Sequence, residues 1–216
     1  MSELQPRRRG LPTTTNPAGR SALVMAGVVG LMWLLEVIDT IAGGALDSLG
    51  IHSWSLQGLW QIFTAPWLHH GWAHLAGNTI PLLVLGWLVL VDSTRTWVAS
   101  GLVITVCSGL AAWLGSGPGT VTLGASGIIF GWLTFLLVKG VFTRSIGDVV
   151  LAVIVFLVYG GVLWGILPGA TGISWQGHLG GAIGGVLAAW LLTRREREQR
   201  RSRRQALAER PAGASW

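Results

Sequence analysis

The stretch on which the fold turns is GHLGGAIGG, residues 177–185. Gly177, Gly181 and Gly185 recur every four residues, and Gly180 and Gly184 recur likewise. Small residues at that spacing let a second membrane helix approach to backbone contact. His178 sits within this seam, and Gly181 and Gly185 share roughly its face. A second glycine-lined run, TLGASGIIFGW at residues 122–132, offers Gly127 and Gly131 in return. Close packing of the two runs would bring the His178 ring within reach of Ser126.

The surrounding chain reads as membrane. Of its 216 residues 51% are hydrophobic and only 11% are charged, with a mean hydropathy of +0.58. A soluble domain carries about twice that charged fraction. The apolar residues fall into blocks of about 20, the length that crosses a bilayer core as a helix. Six such blocks are predicted: Ser21–Ile41, Trp72–Val91, Thr96–Leu114, Ser126–Val141, Val149–Trp164 and Trp175–Leu192. The expected fold class is therefore an all-α bundle of six transmembrane helices. Many of the 13 Trp, among them Trp54, Trp60, Trp67, Trp72 and Trp175, gather near block ends. There an apolar ring meets lipid while its N–H meets water. The single Cys107 lies inside a block and forms no intrachain disulfide.

Charge orients the bundle. Arg7, Arg8, Arg9 and Arg20 precede the first block, Arg95 follows the second, and Lys139 and Arg144 lie at the junction of the fourth and the fifth. The remaining Arg residues, from Arg194 to Arg210, follow the sixth. With six spans all of these fall on one side, and loops 43–71, 115–125 and 165–174 contain no Lys or Arg. Positive loops stay cytoplasmic, so both termini are expected inside the plasma (inner) membrane. The net charge of +6 thus reflects orientation, and nucleic acid is not an expected partner. The first block is longer than a signal-peptide core and holds Glu36 and Asp39, so it reads as a retained span. Residues 1–19 are expected to form a basic, disordered tail and residues 20–193 the membrane domain. Residues 194–216 form a basic cytoplasmic tail, a solvated anchor or a contact for anionic lipid headgroups.

Topology also gathers polar side chains at one depth. His74 and Asn78 share a face in the first turns of the second block, Ser126 begins the fourth, and His178 lies in the first turn of the sixth. All three blocks enter from the extracytoplasmic side. Free N–H groups at a helix N-terminus would stabilise an oxyanion beside Ser126. Gly124 and Gly127 allow the backbone to bend and to approach a substrate. A neutral His178 could take the Ser126 hydroxyl proton. His74 and Asn78, with the Ser126 backbone N–H, offer donors for an oxyanion hole. The structural alternatives are helix packing for Gly-x-Ser-Gly, a carbonyl-bonded histidine for His178, and interhelical bonds for His74 and Asn78. His69 and His70 sit just before the second block. Glu36 and Asp39 read as exposed or hydrogen-bonded rim groups, which favours a Ser–His dyad over a triad.

These motifs resemble the rhomboid intramembrane serine proteases. The likeness runs over roughly residues 20–193 and rests on HHGWAHLAGN, GASG and GHLGGAIGG in order. It implies that Ser126 is the nucleophile and His178 its base. It implies that His74 and Asn78 bind the oxyanion together with the Ser126 N–H. His69 matches a family histidine with a more structural role. Phe130 stands where the family commonly has Tyr stacked on the catalytic His. The sequence departs from the family at Trp60-Gln61, where Trp-Arg is common, so the bonding of the first outer loop must differ. Gly177 replaces a common Ala.

The implied activity is peptide-bond hydrolysis near the outer membrane face. Its substrates would be the transmembrane segments of membrane proteins, and it needs no cofactor and no metal. LPGATGISWQG, before His178, has the glycines of a movable cap. A transporter would carry polar residues through the inner half as well, and none are seen there. A zinc site on His69, His70, His74 and His178 lacks His-Glu-x-x-His spacing. A non-catalytic relative that binds transmembrane segments would not need both Ser126 and His178.

Overall fold

A computed structural model describes residues 16–169, 172–194, 198 and 202. The N-terminal tail up to residue 15, most of the C-terminal tail, and Ala170 and Thr171 of the expected cap lie outside the described residues.

Seven α-helices dominate the described residues: α1 Pro17–Ile41, α2 Leu56–Gln61, α3 Trp72–Asp92, α4 Thr94–Gly115, α5 Ser126–Thr143, α6 Ile146–Tyr159 and α7 Trp175–Leu192. Their ends follow local chemistry. Asn16 caps α1 by accepting from the Ala18 N–H, with Pro17 at the first helical position. Ser93 ends α3 and caps α4 through the Thr96 N–H. Ser174 caps α7 through the Gly177 N–H, which fixes where the His178 turn begins. α5 stops at Arg144, whose φ of 53° is left-handed.

Among the described residues, five helical stretches are long and apolar enough to cross a membrane: Pro17–Ile41, Trp72–Asp92, Thr94–Gly115, Ser126–Thr143 and Ile146–Ile166. The last joins α6 to a 3-10 turn over Gly160–Ile166. α7 forms where a sixth span was expected but is not among the five. Its first turn carries the polar Gln176 and His178, which lower its hydropathy.

α7 packs against both α4 and α5, α6 against α5, and α1 against α3. The glycine seam explains the first two contacts. A Cβ on Gly181 or Gly185 would strike the Gly127 or Gly131 carbonyl of α5, and one on Gly180 would strike Ala111 and Cys107 of α4. Thr134 Oγ1 donates across to the Ala182 carbonyl at 2.8 Å. The apolar core is centred on Met25, Leu85, Ile104 and Leu133, which are fully buried. Outward, α6 buries only Val155. Such an apolar exterior is stable with lipid as its solvent.

The connection between α1 and α3 is ordered and compact. It contains 3-10 turns over Ala45–Leu49 and Ala65–Trp67, the helix α2, and a strand β1, Ile51–His52. β1 pairs antiparallel with β2, Val121–Thr122, placing Ile51 opposite Thr122 and His52 opposite Val121. This small ladder ties the α1–α3 connection to the segment that leads into Ser126.

Candidate active site

Ser126 is the first residue of α5, and His178 lies in the first turn of α7. The Ser126 Oγ and His178 Nε2 are 2.8 Å apart. On the far side of the ring, Nδ1 is 2.9 Å from the Gly165 carbonyl oxygen. A carbonyl only accepts, so Nδ1 carries the proton and Nε2 is left to accept from the Ser126 hydroxyl. Phe130 stacks on the His178 ring with centroids 4.1 Å apart and planes 13° from parallel. Phe130 is one turn beyond Ser126 on α5, so one helix presents both the hydroxyl and the ring that supports its partner.

No carboxylate lines the cavity of about 320 Å³ that contains Ser126 and His178. Glu36, Asp39 and Asp47 line a separate small cavity beside His69. Glu36 and Asp39 are buried rather than exposed rim groups, and Asp39 accepts from the Leu46 N–H at 2.6 Å. The position behind His178, where a triad would hold an acid, is taken by the Gly165 carbonyl. Gly165 carries no side chain that a reading by residue type would register. A Cβ there would press on Phe130 and on His178 Nδ1.

His74 and Asn78 both line the Ser126 cavity from α3. Asn78 is buried, and its Nδ2 has no hydrogen-bond partner. An unmade donor in a buried site costs about 1–3 kcal/mol, so it marks a place where an acceptor is expected. Gly124 has a φ of +121°, and a Cβ on it would press on the His74 ring. Glycine is therefore required both by conformation and by space. The Gly124 N–H donates to the Ala65 carbonyl at 2.9 Å.

His69 sits behind these groups. Its Nε2 accepts from the Ala125 N–H at 3.4 Å, and its ring meets the His74 ring edge-on at 5.1 Å. Burial, followed by the nearby His74, pushes the His69 pKa down to about 4. His70 points away from this group. Its Nδ1 lies 2.6 Å from Asp47 Oδ2, and the hydrogen bond and charge of Asp47 hold its pKa above the usual histidine value. The structure thus gathers Ser126, His178, His74, Asn78, Phe130 and Gly127 around one cavity. Gly181 lies one turn past His178 at the α5 contact, and His69 stands behind His74. Sequence reasoning missed the Gly165 and Ala65 carbonyls and the Ser108 hydroxyl, which donates to the Gly177 carbonyl at 2.8 Å.

Comparison with known proteins gives the same direction. The Rhomboid domain family model matches residues 56–195. An uncharacterized protein of Mycobacterium tuberculosis is 44% identical over 213 residues, covering 93% of this chain and 89% of its own. One from Mycobacterium leprae is 45% identical over 178 residues, covering 79% and 70%. The rhomboid protease GluP of Bacillus subtilis is 33% identical over 141 residues, covering 60% of this chain and 25% of its own. This chain is a multi-pass membrane protein that belongs to the rhomboid family.

Proposed function

We propose that the protein is an intramembrane serine endopeptidase with a Ser126–His178 dyad. The observation that carries this reading is the 2.8 Å contact between Ser126 Oγ and His178 Nε2, with the ring's other nitrogen committed to a carbonyl. That tautomer has its free lone pair on the hydroxyl. Ser126 Oγ attacks the scissile carbonyl carbon while His178 Nε2 takes the hydroxyl proton. The carbonyl oxygen becomes an oxyanion, which accepts hydrogen bonds from Asn78 Nδ2, His74 and the Ser126 N–H. Collapse expels the amine, which receives the proton from Nε2, and leaves an acyl-enzyme. Water then attacks the ester with His178 again as base, releasing the acid and restoring Ser126. No carboxylate, metal or cofactor takes part. His69 and Phe130 orient their neighbours.

The substrate class is the transmembrane segment of another membrane protein, which reaches the site from lipid. The α7 helix is read as a sixth span, with both termini cytoplasmic and the catalytic cavity opening on the extracytoplasmic side of the plasma membrane. The one-sided distribution of Lys and Arg supports this orientation.

The test is reconstitution of the full chain in liposomes with a reporter carrying a single transmembrane segment. Wild type is expected to cleave the reporter near the end of its span, Ser126→Ala to leave it intact, and His178→Ala to cleave it far more slowly. Binding of the reporter without cleavage by wild type would favour a non-catalytic role.

A further inference from the structure

Gln61, at the end of α2, has no solvent exposure. Its side-chain amide is engaged at both its oxygen and its nitrogen. Oε1 accepts from the His52 backbone N–H at 3.0 Å and faces the His52 Nδ1 at 2.9 Å. Nε2 donates to the Ser48 carbonyl at 3.0 Å. The His52 Nδ1 also faces the Gly50 carbonyl at 3.0 Å, so it too must be a donor, shared between two acceptors. One amide therefore joins the 3-10 turn, strand β1 and helix α2. The site needs an acceptor on one side and a donor on the other, which the neutral amide supplies at every working pH.

This knot connects to the candidate site by three routes. Ile51, next to His52, lines the Ser126 cavity and pairs with Thr122 of β2. Ile62, next to Gln61, lines the same cavity and packs with Ala65, Ala112 and Leu123. Ala65 accepts from the Gly124 N–H, two residues before Ser126. Gly58 of α2 closes the arrangement, because a Cβ there would strike the His52 carbonyl.

We propose that Gln61 is a positioning residue for the Ser126 site. It holds β1 and the Ala65 carbonyl so that Gly124, Ala125 and the Ser126 N–H keep their alignment with His74 and Asn78. This rests on the protease reading given above. Losing the amide lets the β1–β2 ladder and the Gly124 anchor shift, and misplacement by about 1 Å can cost on the order of 100-fold in rate. The groups displaced most directly are the Gly124–Ser126 backbone and its alignment with His74 and Asn78, so the loss falls mainly on kcat.

The test uses the full chain in liposomes and the second-order rate constant for labelling by a fluorophosphonate. Gln61→Met removes both sides of the amide. Gln61→Glu keeps the acceptor toward His52 and loses the donor toward Ser48 at neutral pH. The expected result is a drop of about 10- to 100-fold for Gln61→Met and a smaller drop for Gln61→Glu. As pH falls, the protonated carboxyl of Gln61→Glu again donates to Ser48, so its rate relative to wild type rises. The ratio for Gln61→Met stays flat. Reporter cleavage should show the same loss in kcat with KM within about threefold of wild type. The proposal is overturned if Gln61→Met labels at the wild-type rate, or if only the folded fraction falls while the rate constant holds. Should Gln61→Met not fold, the pH trend of Gln61→Glu decides, and a flat ratio overturns the proposal. Wild type that fails to label removes the protease reading and this role with it. Wild type that labels beside an unaffected Gln61→Met removes this role alone.

Discussion

At the scale of single residues, the account rests on proton positions. His178 can accept from Ser126 because the Gly165 carbonyl fixes its tautomer. His178→Ala is expected to lower kcat for reporter cleavage by about 10²–10⁴-fold, the usual share of a general base. Asn78→Ala is expected to lower kcat by about 10²–10³-fold, as for other oxyanion donors. Its KM should change little, since its Nδ2 finds an acceptor only as the oxyanion forms. Steady-state cleavage in liposomes separates the two parameters. A pH effect follows from His69, whose pKa is pushed down to about 4 by burial and the neighbouring His74. Unfolding exposes the ring and returns it to about 6.5. The unfolded chain therefore binds the extra proton between those values. The stabilising contribution is complete above about 6.5 and is lost as pH falls toward 4. The Tm should drop between pH 7 and pH 4.5, and the drop should shrink in His69→Gln. Residue types made Ser126, His178, His74 and Asn78 visible in the sequence. Gly165 and Ala65 were not visible, because they act through backbone carbonyls that every residue has.

Among the elements, α7 carries the argument. Its glycines are spaces that α4 and α5 fill. Gly181→Val should wedge α7 from α5, abolish labelling of Ser126 and lower the Tm. Gly30→Val is the control, since no atom lies within 4 Å of a Cβ at Gly30 on α1. At the opposite end of the bundle, Lys139 of α5 is buried between Asp92 at 2.9 Å and Asp148 at 3.4 Å. Thr143 donates to the second oxygen of Asp148 at 2.7 Å. This knot joins the ends of α3, α5 and α6. Lys139→Met should lower stability by about 1–3 kcal/mol, between the values for surface and enclosed pairs because Asp92 is half exposed. Labelling of the folded fraction should be unchanged, which thermal unfolding and probe kinetics together check. The long helices were legible as apolar blocks to within a few residues. The β1–β2 ladder was not, since two-residue strands have no period to read. The substitution at Trp60-Gln61 announced altered loop bonding, but only the fold showed that His52 and Ser48 are the partners of Gln61.

For the whole molecule, orientation and chemistry meet. The proposed topology puts the Ser126 cavity and the cation-free loops outside, and the Lys- and Arg-bearing ends inside. A reporter domain fused after Trp216 should be active only when its activity requires the cytoplasm. A cysteine placed at Ser48 should react with an impermeant maleimide in intact cells, with Cys107→Ala as background. The reverse pattern would invert the bundle. At this scale the proposed orientation rests on charge counting along the sequence, and α7 is not among the five spans that apolarity marks. The most direct measurement of the central claim is peptide mass spectrometry of membranes treated with a fluorophosphonate. The account predicts a single adduct on Ser126, absent from Ser126→Ala and strongly slowed in His178→Ala. An adduct that persists in Ser126→Ala, or folded wild type that takes up no probe, would contradict it.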